Sequence, residues 1–354
     1  MPQLPGGRPS GGPTIDTPRT TISQIAAEAG VSVPTVSKVL NGRADVASET
    51  RARIERLILQ HGYQRRRSAP PPGPRLVDLV FHELGGPWAL EIITGVERVA
   101  REMGVEVVLS ECGGHRTPRQ EWLDSVLARR PAGVIMVFSD LDHDQRAQLE
   151  ARSIPFVVVD PVGEEQGGVP SIGSANWTGG LVATRHLIGL GHERVAVIGG
   201  PAETLASRAR IAGYRDALLT AGLAVDDALI RNGDFYVGGG YEHGRSLLSL
   251  PDRPTAIFAG SDLQALGVLR AARDLGLEVP RDLSVVGYDD LPVASWITPS
   301  LTTVHQPLVE MADAATHLVL ELAAGRRPRT TRMDLDVHLV VRESTARREV
   351  PGHG

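Results

Sequence analysis

The most constraining feature of this sequence is a long alternation of strand-like and helix-like segments that begins at Leu76. A first series contains the apolar runs RLVDLVF, VEVVLSE, AGVIMVF and PFVVVD, separated by amphipathic segments. A second series contains RVAVIGG, TAIFAG and LSVVGYDD, separated in the same way. Such alternation predicts parallel sheets covered by helices on both faces. Because the number of predicted strands exceeds what a single sheet of this kind usually contains, we expect two doubly wound lobes. Ligands of such lobes bind at the carboxyl ends of the strands.

The first 67 residues differ from this α/β body in charge. They contain ten Arg and Lys residues against five Asp and Glu residues, whereas the rest of the chain contains 27 against 37. The balances of +5 and −10 together give the net charge of −5. A basic segment ahead of an acidic body favours contact with a polyanion, although chance clustering on a solvated face would give the same composition.

Three short helices are predicted in the basic segment. The run TISQIAAEAG places four apolar residues on one face and ends at Gly30. Ser32 is expected to cap a second helix with Pro34 in its first turn, where the missing N–H costs nothing. A third helix is expected to begin near Ser48. Together they predict a helix-turn-helix unit, the alternative being a three-helix cap that binds no nucleic acid.

In a helix-turn-helix unit, the N-terminal part of the second helix enters the major groove of DNA. On this interpretation three side chains face base edges: Val33, Pro34 and Lys38. Four hydroxyl side chains are candidates for phosphate contacts: Thr21, Ser32, Thr35 and Ser37. Asn41, at the expected end of the helix, completes the predicted DNA-binding set.

The run TISQIAAEAGVSVPTVSKVLNG resembles the headpiece of the LacI/GalR (lactose-repressor) family of bacterial transcription regulators. Later runs, including NWTGGLVATRHLIGLGHERVAVIGG and PSLTTVHQPLVEMADAA, resemble the effector-binding core of the same family. That core is similar in fold to periplasmic sugar-binding proteins. The matching runs follow one another in order over nearly residues 20–345. The resemblance implies a small all-α headpiece joined to an α/β core of two doubly wound parallel-sheet lobes.

The resemblance also sets the expected domain boundaries. We expect a disordered tail over 1–18, a helix-turn-helix headpiece over 19–64, an Arg- and Pro-rich linker over 65–75, a core over 76–345 and a flexible tail over 346–354. Family-like chain crossings near 174, 305 and the mid-330s would make both lobes discontinuous. The N-lobe would then contain about 76–174 and 305–335, and the C-lobe about 175–304 and 336–345.

The predicted effector site combines carboxylates, an arginine and aromatic rings, which suit a sugar. The resemblance assigns Arg210 and Asp289 to effector contacts, and Phe235 and Trp88 to positions that commonly contact ligand. Ser261 stands where the family usually has Asn, which leaves Asp262 as the stronger candidate of that pair. The predicted ends of the third and fourth strands add two further candidates, Asp140 and Asp160. The alternatives are that Asp289 and Asp262 only cap loops and that Arg210 pairs with a neighbouring acid.

The linker departs from the family pattern, in which a leucine-containing hinge helix follows the headpiece. Its four prolines exclude a helix. Arg65, Arg66 and Arg67 are predicted to contact DNA phosphates or a narrow minor groove, the alternative being a solvated charge run.

Other classes of protein fit the sequence less well. There is no G-x-S-x-G or P-loop motif, and the HELGG and HERVA runs lack the second histidine of a zinc motif, so we expect neither an enzyme nor a metal site. Apolar runs are too short to span a membrane, and the N-terminus does not resemble a secretory signal. We therefore expect a cytoplasmic protein rather than an extracytoplasmic sugar receptor.

The predicted function is that of a homodimeric repressor of carbohydrate-utilisation genes. It would bind near-palindromic operator DNA under the control of a mono- or oligosaccharide, with a purine or another metabolite as the alternative effector and with no cofactor.

Overall fold

The computed structural model describes residues 20–40, 46–61, 63, 75–163, 168–326, 328 and 330–348. These residues form two units, a small helical unit near the N-terminus and a larger unit built on two sheets.

The helical unit contains α1 (Ile22–Glu28), α2 (Val33–Leu40) and α3 (Ser48–Gln60). The Thr21 side chain accepts a hydrogen bond from the backbone N–H of Gln24, whose own side chain bonds back to Thr21, so a capping box begins α1. Gly30, at φ +63°, ends the turn after α1. Buried residues from the three helices form one core: Ile25, Ala26, Ala29, Val36, Val39, Leu40, Ile54 and Ile58. The predicted helix-turn-helix arrangement is confirmed.

The larger unit contains twelve strands and nine α-helices within its described residues, together with a short 3-10 helix at Asp227–Leu229. The strands are β1 (Arg75–Phe81), β2 (Val105–Glu111), β3 (Gly133–Val137), β4 (Phe156–Val159), β5 (Ser171–Ser174), β6 (Val195–Gly199), β7 (Ile230–Asn232), β8 (Ala256–Ala259), β9 (Ser284–Asp289), β10 (Thr302–His305), β11 (Arg332–Leu335) and β12 (His338–Val340). The helices are α4 (Pro87–Glu102), α5 (Gln120–Arg129), α6 (His143–Ala151), α7 (Asn176–Gly189), α8 (Leu205–Thr220), α9 (Val237–Leu248), α10 (Asp262–Asp274), α11 (Val293–Trp296) and α12 (Leu308–Ala323).

The strands form two six-stranded sheets, which confirms the predicted pair of doubly wound lobes. The N-lobe sheet has the order β11-β5-β4-β3-β1-β2, and all of its neighbouring strands are parallel. The C-lobe sheet has the order β12-β10-β9-β8-β6-β7 and is parallel except for β12. The strand order reverses between β1 and β3 and between β6 and β8. At such a reversal the flanking helices lie on opposite faces and leave a crevice at the carboxyl ends of the strands.

The chain passes between the two sheets three times. It leaves the N-lobe sheet after β5, returns after β10 to form α12 and β11, and joins the C-lobe sheet again with β12. Buried apolar residues cover both faces of each sheet.

Close packing of α7 against α8 depends on glycine. A Cβ atom at Gly180 would lie 2.0 Å from the carbonyl oxygen of Arg210, and one at Gly213 would lie 2.1 Å from that of Trp177. Only glycine permits this approach, which holds Arg210 on α8 close to the first turn of α7.

Candidate functional site

A cavity of about 130 Å³ lies between the lobes at the carboxyl ends of their strands. Phe81 and Val137, which end β1 and β3, form part of the N-lobe wall. Arg210 and Asp289 belong to the C-lobe wall. This interlobe cavity therefore occupies the crevice that the strand order produces.

Arg210 is almost fully buried at the cavity wall and is held by several hydrogen bonds. Its Nε donates to Asn176 Oδ1 at 2.8 Å, Nη1 donates to the Gly260 carbonyl oxygen at 2.5 Å, and Nη2 donates to Gln306 Oε1 at 3.2 Å. The guanidinium carbon lies 3.5 Å from the ring centroid of Tyr288. These bonds fix the orientation of the guanidinium group, and its positive charge offsets part of the negative charge of the nearby carboxylates.

Asp160 and Asp289 are buried carboxylates close enough to Arg210 for its charge to affect both. Both residues have positive φ angles, 52° for Asp160 and 111° for Asp289, so the backbone turns sharply where their strands end. Burial raises the pKa of each carboxyl group, and the Arg210 charge partly offsets that effect. Asp289 Oδ1 lies 4.0 Å from Arg210 Nη1.

The Asp160 carboxylate has an unfilled capacity to accept hydrogen bonds. It is only 6% exposed, and no side-chain or backbone donor among the described residues hydrogen-bonds to it. Because this carboxylate lines the cavity and can still accept hydrogen bonds, a ligand that brings hydroxyl or amine donors would be stabilised here.

Aromatic rings line the cavity from both lobes. Trp88 lies in the first turn of α4. Phe235 has a φ of 70°, and its ring fits because Gly200 has no side chain: a Cβ atom there would lie 2.0 Å from the Phe235 ring. Phe138, which the sequence analysis did not identify, contacts Phe235 edge to face at a centroid distance of 6.3 Å. The rings provide apolar faces against which a pyranose can stack.

Two sequence-predicted residues are not brought to this cavity. The Asp140 carboxylate forms an ion pair with Arg146 and accepts a hydrogen bond from the Leu141 N–H at 2.8 Å. The Asp262 carboxylate points inward, where it accepts bonds from the Thr303 hydroxyl at 2.5 Å and the Leu291 N–H at 2.7 Å. Burial raises the pKa of Asp262 to about 7. Asp262 therefore connects three segments of the C-lobe within its interior.

Ser261, rather than Asp262, lies at the cavity wall. Its hydroxyl oxygen accepts a bond from the Gln264 N–H at 3.0 Å, which caps α10, and donates to the Phe235 carbonyl oxygen at 2.7 Å. Serine retains the capping role at the position where the family usually has asparagine, but it has no side-chain amide that could bind a ligand.

The lobes are also bridged directly at the cavity wall. The Tyr236 hydroxyl donates to Glu83 Oε2 at 3.0 Å, and Arg116 Nη2 lies 2.7 Å from Glu203 Oε1. Burial and the bond to Glu83 raise the pKa of Tyr236 to about 12. Only an indirect indication of these bridges is present in the sequence, since Glu83 follows the predicted end of the first strand and Tyr236 follows Phe235.

His82 also lines the cavity and was considered from the sequence only as part of a zinc-like motif. Its Nδ1 atom is buried without a hydrogen-bond partner in the described structure. A ligand hydroxyl could provide that partner.

The helical unit presents a second candidate surface on α2. Val33, Pro34 and Lys38 are exposed, whereas Val36 and Val39 on the opposite side are buried. The predicted base-contacting residues thus share the solvent-facing side of one short helix.

The hydroxyl residues near α2 have structural roles as well. Ser32 Oγ lies 2.9 Å from Thr35 Oγ1 and accepts from the Thr35 N–H at 3.4 Å, which caps α2, whereas Ser37 is half-buried. Thr21 caps α1. Asn41, Arg65, Arg66 and Arg67 lie outside the described residues, as do the tail over 1–18 and nearly all of the predicted linker.

In the part of the chain that the structure describes, no helix has the length and apolar character needed to cross a membrane. Within the same residues no cluster of three or more His, Cys, Asp or Glu side chains could hold a metal ion.

Sequence comparison finds similar proteins over most of the chain. The profile described as "Bacterial regulatory proteins, lacI family" matches residues 21–66, and that of a periplasmic binding protein-like domain matches residues 184–345. The chain is 36% identical over 336 residues to the HTH-type transcriptional regulator CelR of Thermobifida fusca, covering 92% of this chain and 98% of CelR. It is 32% identical over 330 residues to the HTH-type transcriptional repressor PurR of Escherichia coli, covering 92% and 97%.

Structural comparison gives the same pattern. A CelR–cellobiose complex superimposes with a TM-score of 0.71 at 35% identity, covering 92% of this chain and 100% of that one. A lac repressor dimer bound to operator and the anti-inducer ONPF gives a TM-score of 0.68 at 27% identity, covering 93% and 100%.

Proposed function

This chain belongs to the lacI family of bacterial regulatory proteins and is a DNA-binding transcriptional regulator, and from that premise we propose that it represses carbohydrate-utilisation genes under the control of a sugar-like effector bound in the interlobe cavity. The effector class is supported above all by the Asp160 carboxylate at the cavity wall, which accepts no hydrogen bond from the residues that the structure describes. A ligand with several hydroxyl groups supplies such donors, and the rings of Trp88 and Phe235 suit the apolar face of a pyranose.

The charge of the cavity favours a neutral effector over an anionic one. Its lining includes four acidic side chains against two arginines. Both arginines are engaged, Arg116 with Glu203 and Arg210 with its three acceptors. An added phosphate would therefore lie near uncompensated carboxylates. The cellobiose complex of the related CelR supports the same class of ligand.

The DNA-binding role uses the exposed face of α2. One headpiece of this size buries too little surface for tight specific binding, so we propose a homodimer that places two headpieces on a near-palindromic operator. Val33, Pro34 and Lys38 would meet base edges, and the hydroxyls of Thr21, Ser32, Thr35 and Ser37 would bond phosphates in addition to any capping role. Binding to DNA implies a location in the cytoplasm.

Effector control would act through the angle between the lobes. The cavity walls come from both lobes, and the Glu83–Tyr236 and Arg116–Glu203 bridges join the lobes beside the ligand space. A ligand that contacts both walls stabilises one lobe arrangement, and the coupling free energy appears as a change in DNA affinity.

The proposal is tested by fluorescence anisotropy with a DNA fragment from upstream of the protein's own gene, at fixed salt. Cellobiose, D-glucose, D-ribose and hypoxanthine are added in turn. We expect a neutral sugar to change the DNA affinity, and Asp160→Asn to abolish that change while leaving sugar-free DNA binding intact. Leu219→Ala, on the exposed surface of α8, is the control.

A response to hypoxanthine alone would replace the sugar with a purine effector. If no compound in the panel changes the DNA affinity, the effector-controlled model is wrong. If neither this fragment nor a random-sequence operator library yields a preferred site, sequence-specific repression is wrong.

A further inference from the structure

A second concave site lies beside the interlobe cavity. It has a volume of about 430 Å³ and lies where the chain first passes from the N-lobe to the C-lobe. We call it the crossover groove, and its principal lining residues are Asp160, Asn176, Trp177, Arg208, Arg332 and Asp334. Asp160 lines both the crossover groove and the interlobe cavity.

Trp177 offers an exposed and rigid aromatic surface in this groove. It lies in the first turn of α7 and is 44% exposed. Its indole N–H donates to Asp216 Oδ2 on α8 at 2.8 Å, so its polar edge is already satisfied. A ring held in this way provides stacking area with little loss of conformational entropy on binding.

The space in front of Trp177 exists because α8 presents small side chains there. Ala209 and Ala212 line the groove one turn apart on the same face of α8. On the opposite wall Gly173 has no side chain, and a Cβ atom there would lie 2.6 Å from Asp334 Oδ1. Longer side chains at these positions would fill the groove.

The polar rim carries both donors and acceptors and has no net charge. Arg208 is exposed, and its guanidinium makes no hydrogen bond or ion pair to the residues that the structure describes. Asp334 accepts from Arg332 Nε at 2.9 and 3.1 Å and remains partly exposed. Together with Asp160, two arginines face two aspartates, which suits a neutral ligand with several hydroxyl groups.

We propose that the crossover groove is a second binding site for a pyranose sugar, with the ring stacked on Trp177 and its hydroxyls bonded by Arg208 and Asp334. One aromatic wall combined with a rim of donors and acceptors is the arrangement that recognises the two chemically different faces of a sugar ring. The inference takes its ligand class from the proposed function, but it concerns a different set of residues.

Two side chains connect the groove with the interlobe cavity. Asn176 lines the groove and accepts a hydrogen bond from Arg210 of the cavity at 2.8 Å. Asp160 lines both sites, and besides burial the charges of Arg210, Asp334 and Arg332 affect the pKa of its carboxyl group. A sugar in the groove also contacts the passage between the lobes, so its binding should change the affinity of the cavity for its own ligand.

The test uses the four tryptophans as separate reporters. Trp122 and Trp296 are replaced by Phe in the full chain. One variant then keeps only Trp88, in the cavity, and another keeps only Trp177, in the groove. Fluorescence titrations of these variants with D-glucose, D-ribose, cellobiose and maltose give a Kd for each reporter. Calorimetric titrations of the unsubstituted chain, which has all four tryptophans, give the number of sugars bound per chain.

We expect a Trp177 signal with its own Kd and two sugars per chain. Arg208→Ala removes no side-chain hydrogen bond to the residues that the structure describes. It should weaken sugar binding at Trp177 about tenfold, the loss of one charge-assisted hydrogen bond to ligand, and change binding at Trp88 much less. In a chain that keeps the other three tryptophans, Trp177→Ala should leave one sugar per chain.

Three outcomes would overturn the inference. A Trp88 response with a silent Trp177 and one sugar per chain leaves the proposed function standing and rejects the groove. Identical Kd values at both reporters with one sugar per chain would mean that Trp177 only senses cavity binding. Silence of both reporters with every sugar would reject the groove and the sugar effector together.

Discussion

Arg210→Met provides the sharpest test of how the interlobe cavity is held together. Methionine keeps an unbranched apolar stem, although a shorter one, and removes the charge and every donor. Three acceptors then lose their bonds from Arg210: Asn176 Oδ1, the Gly260 carbonyl and Gln306 Oε1. The buried carboxylates of Asp160 and Asp289 lose their nearest cation. Breaking a buried charge network from one side costs about 3–5 kcal/mol of unfolding free energy.

The loss should depend on pH in a defined direction. Burial raises the pKa of both Asp160 and Asp289, and the Arg210 charge acts against that rise. Attraction to Arg210 exists only when the carboxylates are ionised, so Arg210→Met should be most destabilising at high pH and less so as they become protonated. Asp289→Asn in the Arg210→Met background should recover part of the loss.

The assay is urea unfolding of the full chain followed by circular dichroism at pH 5.5 and pH 8. Arg215→Met is the matched control, because Arg215 lies on the same helix and its ion pair with Asp227 is exposed. An exposed pair contributes at most about 1 kcal/mol. Equal losses for the two variants, or a loss at Arg210 that grows as the pH falls, would refute the network argument.

Three further predictions concern other parts of the molecule. Asp262→Asn should flatten the dependence of the unfolding free energy on pH between about pH 4 and 7, as measured by urea titrations. The reason is that burial raises the Asp262 pKa to about 7, so that its stabilising contribution is lost as the pH rises through that value. An unchanged slope would contradict this role of Asp262. Gly213→Ala should lower the midpoint of thermal unfolding, because a Cβ atom at Gly213 would lie 2.1 Å from the Trp177 carbonyl oxygen. Gly238→Ala is the control and should lower the midpoint less, because a Cβ atom there meets nothing within 4 Å. Equal midpoints would show that α7 and α8 can separate at little cost. Lys38→Ala should cost about 1–3 kcal/mol of operator binding and relax the preference at one base pair per half-site in a binding-site selection experiment, whereas a uniform loss with a shallower salt dependence would make Lys38 a phosphate contact.

The sequence by itself determined the features that depend on neighbouring residues. The Ser32 cap, the buried stripe of α2 and the alternation of strands with helices follow from local pattern and spacing. The motif containing Arg210 and the end of β9 at Asp289 could likewise be located before any contact was known. These features depend on residues that are close together in the sequence, so the sequence alone is enough to predict them.

Only the tertiary structure decided which strand-end residues reach the cavity. Ser261 and Asp262 are adjacent, yet Ser261 lies at the wall while Asp262 bonds Thr303 in the C-lobe interior. Asp140 and Asp160 both follow N-lobe strands, but Asp140 pairs with Arg146 and Asp160 remains without a donor in the described structure. A difference of one residue changes the direction of a side chain, and its available partners lie far away in sequence.

The aromatic lining and the crossover groove depend on such distant partners as well. Phe138 and Phe235 meet across two lobes, and the Trp177 indole is fixed by Asp216 of a different helix. Each pair is brought together by sheet order and by the passages of the chain between the lobes. Local secondary-structure propensity does not predict such contacts between residues distant in sequence, because they result from burying both faces of two sheets at once.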